Sequence, residues 1–377
     1  MLRTFKVRGF RNFHEEMVLD LSTPKSYEFS PKSVENGIVK NAIIYGPNGC
    51  GKTNLGKALF DIKTHLSDER IDPSYQVNYI SGDSKNNLAE FEYLFQFGKT
   101  QVRYIYGKKN VKELIYEKLF INDECVLSID RRISPLFEST LKETKQLRKE
   151  VGSHEISIVK YVKNNTVFSE DSSFLELVDF VDLMTLDRVI RPSISKEVSA
   201  YAALIMNPEI NLEGFDVKEF EAFLNKMGIP CSLAMMETGI GGERRLVFEF
   251  ENTKVDFLSA ASTGTIGLTD FYFHLWRLKT ELYVATNRTT PFIFVDEFDA
   301  FYHHALSKEI VRLLKKEGFQ FVLTTHNTSL MTNDLLRPDC YFEMSEKEIK
   351  PFSERTSKEL RKAHNIEKMY RAGAFNG

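Results

Sequence analysis

Residues 43–60 read IIYGPNGCGKTNLGKALF, and within them Gly46 to Thr53 match the pattern GxxxxGK[ST]. The residues before it, KNAIIYG (40–46), form a short apolar run of the kind buried inside a sheet. After it, Leu55, Ala58, Leu59 and Ile62 recur at i, i+3, i+4 and i+7, which is one face of a helix. Strand, glycine-rich turn and helix together make a phosphate cradle: Gly49 and Gly51 let successive backbone N–H groups turn inward, flanked by Asn48 and Asn54. The helix N-terminus adds its positive dipole end, Lys52 reaches the β/γ-phosphates, and the Thr53 hydroxyl is a ligand for Mg²⁺.

A P-loop needs a carboxylate, and FIFVDE (292–297) supplies two. A buried strand ending in Asp296 can hold the Mg²⁺ hydration shell, and Glu297 can orient or deprotonate an attacking water. An acidic strand end alone also suits a plain turn; beside a P-loop it reads as the second half of the site. A helix with Leu306, Ile310, Leu313 and Leu314, closed by Gly318, then leads to a second apolar strand, FQFVLTTH (319–326). Its last residue, His326, could be structural, but at the carboxyl ends of parallel strands it reads as a sensor of the terminal phosphate. In ASTGT (261–265) Ser262 would suit a helix N-cap, and a Ser-x-Gly turn at a helix start is equally an anion site. Because the turn stands 209 residues after Thr53 and 34 before Asp296, with its own helix (Leu268, Phe271, Leu275, Leu278) between it and the acidic strand, it reads as a finger offered to a nucleotide held by another subunit.

The rest of the chain frames this site. Alternating residues 4–10 and 17–21 predict two strands turned at Arg11–Asn12, residues 89–107 a hairpin about Gly98, and residues 246–257 another. Residues 134–227 read as mostly helical, with LKETKQLRKEV (141–151) and SFLELVDFVDLM (173–184) as examples, and the charged tail from 357 as one helix. No heptad is sustained, so the middle lobe is expected to be compact. With 377 residues, 42% hydrophobic, there is material for two lobes. A net charge of -3 advertises no global nucleic-acid field. Four scattered cysteines form no disulfide or zinc pattern. Neither a signal peptide nor an apolar run of roughly 18 residues is present, which predicts a cytoplasmic protein without a membrane partner.

The order of P-loop, Ser-x-Gly turn, apolar strand with Asp-Glu and histidine is similar to that of ABC-type ATPases. FKVRGFRNFHEEMVLDLS (5–22) resembles the opening of SMC-like and OLD-like heads. DEFDAFYHHALS, TTHNTSLM, RPDCYF and LRKAHNIEKMYRAGAFNG resemble AAA-type ABC ATPases of bacterial anti-phage systems, the RloA/AbiL-like proteins akin to the ATPase subunits of Septu and PARIS. The likeness covers residues 1–130 and 240–377. It implies an α/β P-loop NTPase of ABC/SMC head type, its central sheet mainly parallel, with an antiparallel β subdomain. Residues 1–130 and 241–377 would build the ATPase domain and 131–240 an inserted, mainly helical lobe.

By position the resemblance makes Lys52 and Thr53 the phosphate and Mg²⁺ ligands, Asp296 the Walker B acid, Glu297 the hydrolytic base and His326 the switch. Ser262 and Gly264 become the trans signature, Asp299 the start of an interface segment, and Arg11 and Asn12 a loop beside the nucleotide. Two features depart from the pattern: the signature reads STGT and not LSGGQ, and Gln76 and Gln101 are poor candidates for a Q-loop glutamine. The resemblance implies ATP and Mg²⁺ as ligands, an ATP-dependent head-to-head dimer or higher oligomer, and a sensor role in abortive infection controlling a separately encoded nuclease or toxin. A phage-derived trigger or a nucleic acid would be the further partner. An SMC-like DNA-clamping or repair ATPase is the alternative, with basic residues at 139–163 and 188–196 as its clamp. A transporter nucleotide-binding subunit fits less well, because its signature would be LSGGQ and nearer the P-loop.

Overall fold

The computed structural model describes residues 1–22, 25–68, 73–84, 86–188, 215–238, 243–284, 289–300 and 302–375. In chain order the first elements are β1 (Leu2–Arg8), β2 (Met17–Asp20), β3 (Val34–Glu35), β4 (Ile38–Val39), β5 (Asn41–Tyr45), α1 (Lys52–Leu59) and α2 (Lys63–Leu66). There follow β6 (Ala89–Phe97), β7 (Thr100–Lys108), β8 (Leu114–Ile121), β9 (Glu124–Asp130), β10 (Glu138–Ser139), α3 (Ile158–Asn165), α4 (Ser173–Asp182) and β11 (Thr185–Arg188). The remainder gives α5 (Val217–Lys226), β12 (Leu233–Thr238), β13 (Glu243–Glu249), β14 (Lys254–Asp256), α6 (Phe257–Ala260) and α7 (Thr263–Val284). Last come β15 (Phe292–Asp296), α8 (His304–Glu317), β16 (Gln320–Thr324), β17 (Tyr341–Met344), β18 (Ile349–Pro351) and α9 (Ile366–Arg371). The chain divides into two compact units, one of Met1–Asp187, Arg288–Phe298 and Arg312–Gly377, the other of Arg188–Asn287 and Asp299–Val311.

The first unit holds two large sheets. One has the order β11-β15-β16-β5-β17-β18, with β15, β16, β5 and β17 mutually parallel and β18 antiparallel at the edge. Every residue of β15, β16 and β5 is buried, as expected for parallel strands covered on both faces. The other sheet, β10-β9-β8-β7-β6-β1-β2, is antiparallel throughout its registered pairs. Along β6 burial alternates strictly, so Phe91, Tyr93, Phe95 and Phe97 line one face, and Phe180 of α4 packs edge-on against Phe95 and Phe97. Buried Gln320 stitches the sheets together: its Nε2 donates to the Leu2 carbonyl at 2.7 Å while its Oε1 accepts from the Leu2 N–H at 2.8 Å.

Just past α1, buried Asp61 binds Lys108 Nζ at 2.9 Å and accepts from the hydroxyls of Tyr79 at 2.7 Å and Tyr106 at 3.0 Å. Tyr93 donates to the last carbonyls of α1, Ala58 and Leu59. The far end of α1 is thereby fixed to the antiparallel sheet by satisfied buried polar groups. The second unit has its own three-stranded antiparallel sheet, β12-β13-β14, and an aromatic core in which Phe220 and Phe223 of α5 meet Tyr272 of α7 at 4.9 Å. Among the described residues no helix is long and apolar enough to cross a membrane.

Two helical expectations are overturned. Residues 141–151 carry only a single 3-10 turn at Lys142–Thr144, because Leu141 and Leu147 are not spaced to share a helix face and the backbone is tied back through Phe137 N–H to the Lys149 carbonyl. The tail forms only the short α9: Asn333 Nδ2 donates to the carbonyls of Arg361, Lys362 and His364, holding them out of a helix, and Gly373 at φ 74° ends it. The basic residues at 189–196 lie outside the described residues.

Candidate functional site

β5 ends at Tyr45 and the chain turns through Pro47, Asn48 and Gly49, an exposed tip, before α1 begins at Lys52. The turn needs its glycines. Gly49 sits at φ 82° and Gly51 at φ 106°, conformations that L side chains rarely adopt. A Cβ on Gly51 would stand 2.5 Å from Asn12 Nδ2 and 3.1 Å from the Phe13 ring, so the loop after β1 is pressed against the P-loop. Asn54 Nδ2 donates to Asn12 Oδ1 at 2.6 Å across the same contact. Arg11, at φ 51°, donates to the Ser74 carbonyl at 2.6 Å, and Lys57 Nζ reaches Ser74 Oγ at 3.2 Å. Lys52 folds over the turn, donating to the carbonyls of Gly46 at 2.8 Å and Pro47 at 3.0 Å. The neighbouring Cys50 thiol is pushed up by burial, with the Lys52 ammonium opposing that shift.

Opposite the P-loop, β15 and α1 meet in a simple register. Thr53 Oγ1 donates to Asp296 Oδ2 at 2.6 Å, a Cβ at Gly56 would stand 2.6 Å from the Phe294 ring, and Phe60 faces Phe292 at 6.2 Å between centroids. Residues 292, 294 and 296 share one face of the strand, while 53, 56 and 60 share one face of the helix and its end. The missing side chain at Gly56 therefore leaves room for the Phe294 ring. The close approach brings the threonine and the acid within hydrogen-bond distance.

Between β15 and β5 runs β16, and its final residue, Thr324, is fully buried. Its hydroxyl donates to Asp296 Oδ1 at 2.7 Å and accepts the Glu297 N–H at 2.8 Å. Its carbonyl accepts the Phe298 N–H at 3.2 Å. Glu297 turns off the strand at φ 51°, a left-handed conformation uncommon outside glycine and asparagine. His326 lies two residues beyond the end of β16, exposed, in the loop where Asn327 N–H donates to Thr325 Oγ1. Thus Asn12, Lys52, Thr53, Asn54, Asp296 and Glu297 gather on one end of the parallel sheet, where open α/β folds place their ligands. The donors Thr53 Oγ1 and Asp296 Oδ2 are hard oxygens of the sort Mg²⁺ takes along with phosphate oxygens and water.

Ser262, Gly264 and Asp299 belong to the second unit. Ser262 Oγ accepts the Thr265 N–H at 3.2 Å and lies 2.9 Å from Thr265 Oγ1, so this exposed serine caps α7. The Asp299 carbonyl accepts the Tyr302 N–H in the turn before α8. Sequence reasoning missed Thr324 and Gly56. The only signal for the first was a polar pair, Thr324-Thr325, closing an otherwise apolar strand; for the second, a glycine in a helix interior.

A family described as "AAA domain, putative AbiEii toxin, Type IV TA system" matches residues 42–332. No curated protein matches the chain. Among solved structures, an SMC head bound to the C-winged helix domain of ScpA aligns over 93% of this chain and 96% of its own, with a TM-score of 0.51 at 16% identity. The SMC head domain from Thermotoga maritima covers 93% and 98% with a TM-score of 0.43 at 16% identity. The recombination mediator RecF with ATP covers 93% and 99% with a TM-score of 0.40 at 15% identity. The first of these likenesses places the chain in the SMC-head fold.

Proposed function

The chain belongs to the family described as "AAA domain, putative AbiEii toxin, Type IV TA system", and from that premise we propose that it binds ATP with Mg²⁺ and hydrolyses it as an ATPase of the ABC/SMC-head type. The observation that carries the reading is the 2.6 Å hydrogen bond from Thr53 to Asp296, which joins the P-loop helix to the acidic strand at the spot a metal would occupy. When bound there, Mg²⁺ would neutralise charge on the β- and γ-phosphate oxygens. Lys52, which here donates to the Gly46 and Pro47 carbonyls, would hold those oxygens when nucleotide is bound, and Asn48, Gly49, Gly51 and Asn54 would shape the cradle. Arg11 and Asn12 lie alongside the nucleotide. Glu297 orients and deprotonates the attacking water, and His326 senses the γ-phosphate.

Ser262 and Gly264 serve the nucleotide of a second copy across a head-to-head interface that Asp299 helps to form. In this reading the nucleotide state is passed to a separately encoded nuclease or toxin, with the chain as the regulatory subunit of an abortive-infection system. The family's description names a type IV toxin–antitoxin system, which supports a place in such a system; the regulatory role within it is our reading. Glu297→Gln tests the enzymatic core. Glutamine keeps the size but cannot take a proton, so phosphate release should fall about a hundred- to ten-thousand-fold with ATP affinity preserved. Turnover by this variant at the wild-type rate would remove Glu297 from its role.

A further inference from the structure

One side chain to which the sequence reading gave no role holds both acids of the site. Three consecutive residues, Asp296, Glu297 and Phe298, are bonded to Thr324: the first through its carboxylate, the second and third through their N–H groups. The hydroxyl is used in both senses, its proton given to Asp296 Oδ1 at 2.7 Å and its lone pair taken by the Glu297 N–H at 2.8 Å. Asp296 is then clamped from two sides, with Thr53 on Oδ2 and Thr324 on Oδ1. Glu297 adopts φ 51°, and a non-glycine residue stays in that region only when its surroundings hold it there. The bond from its N–H to the Thr324 hydroxyl is such a hold. A valine would fill the same volume and leave the Phe298 bond intact, yet could make neither of the other two.

We propose that Thr324 is a positioning residue for this site, its hydroxyl fixing the Asp296 carboxylate for the metal and the backbone turn that aims Glu297 at the attacking water. The proposal rests on the ATPase reading given above. It goes beyond it by assigning a task to Thr324, a residue of the strand between the P-loop strand and the acidic strand for which the motif reading gave no role. Ligands held in place by an outer partner typically lose ten- to a hundred-fold in metal affinity or activity when that partner is removed.

The test compares wild type, Thr324→Val and Thr324→Ser by three readouts: phosphate release, binding of a fluorescent ATP analogue as Mg²⁺ is titrated, and melting temperature. Thr324→Val should require about ten-fold more Mg²⁺ for half-maximal analogue binding and lose about ten- to a hundred-fold in kcat. KM should change much less than kcat. Thr324→Ser, which restores the hydroxyl but not the methyl, should recover most of both losses. A purely structural threonine predicts the reverse order, since valine fills the core at least as well as serine. If Thr324→Val does not fold, Thr324→Ala is measured against Thr324→Ser at equal melting temperature, with the same ranking expected. A valine variant with wild-type kcat and Mg²⁺ requirement overturns the proposal while leaving the ATPase reading intact. A wild-type protein that binds the analogue but releases no phosphate overturns the ATPase reading, and the role of Thr324 in aiming Glu297 falls with it.

Discussion

Gly56→Ala should destabilise this protein, although the same change in an ordinary helix stabilises. Position 56 lies inside α1, where replacing glycine by alanine gains about 0.8–1 kcal/mol of helix propensity. Here the new methyl would stand 2.6 Å from Phe294 Cε1 and 3.0 Å from its Cδ1, well inside contact distance. Phe294 is fully buried in the middle of β15, paired in register with Val322, so its ring has no open side to move into. Forcing a methyl into such a core costs about 1–3 kcal/mol. The steric term wins, leaving a net loss of up to about 2 kcal/mol. That corresponds to a few degrees of melting temperature for a unit of this size.

The functional effect should be larger than the stability effect. Phe294 and Asp296 lie on the same strand face, so pushing the ring outward also pulls Asp296 away from Thr53. Calorimetry with Mg²⁺-dependent ATP-analogue binding would read both. Phe294→Leu, which removes ring atoms, should absorb the methyl, so the double variant should be no less stable than Phe294→Leu alone. A Gly56→Ala protein that melts higher than wild type and keeps its Mg²⁺ requirement would refute the argument.

His65 is buried against Tyr104 and Tyr106 near Asp61 and Lys108, and burial first, then the Lys108 charge, pushes its titration well below the usual histidine range. The unfolded chain takes up this proton below about pH 6.5 and the folded one does not, so stability contributed by neutral His65 is full above that pH. It is lost as the pH falls, at up to about 1.4 kcal/mol per unit; His65→Phe should flatten the pH dependence of the unfolding midpoint between pH 6.5 and 5, and identical slopes would exclude the assignment. Ser262→Asp keeps a good N-cap for α7 but puts a negative charge where a partner's phosphate would sit, so melting should hold within about 0.5 kcal/mol while ATP-driven association is lost; undiminished association, by light scattering, would leave Ser262 as a cap alone.

What the sequence discloses here follows physical rules of differing reach. The P-loop was legible because it is local: a chain that must place Gly51 at φ 106° and open a helix at the next residue has few residue choices. The apolar runs of β5, β15 and β16 were equally plain, since strands covered on both faces need unbroken burial. The hairpin of β6 and β7 announced itself by alternation about Gly98, at φ 53°. Residues 141–151 misled because charged residues of good helix propensity mimic a solvated helix, while their conformation is set by ties to the loop at Phe137. The tail misled in the same way, its backbone being captured by Asn333. Thr324 and Gly56 were invisible for another reason. Each matters through a contact with β15, and no window along the chain contains both partners.

For Ser262 a plain structural role and the proposed functional one need not compete. Its hydroxyl already accepts the Thr265 N–H, which is what an N-cap does. Yet a helix start leaves several N–H groups without intrahelical acceptors, and one capping side chain satisfies only part of them. The remaining donors, with the dipole behind them, are what draws an anion to a helix start. The cap fixes the first turn of α7, in which Gly264 carries no side chain. Under the proposed head-to-head arrangement, capping would help to build the surface that a second subunit's phosphate uses. For this reason a substitution that preserves the cap while reversing the charge separates the two roles, and one that simply deletes the hydroxyl does not.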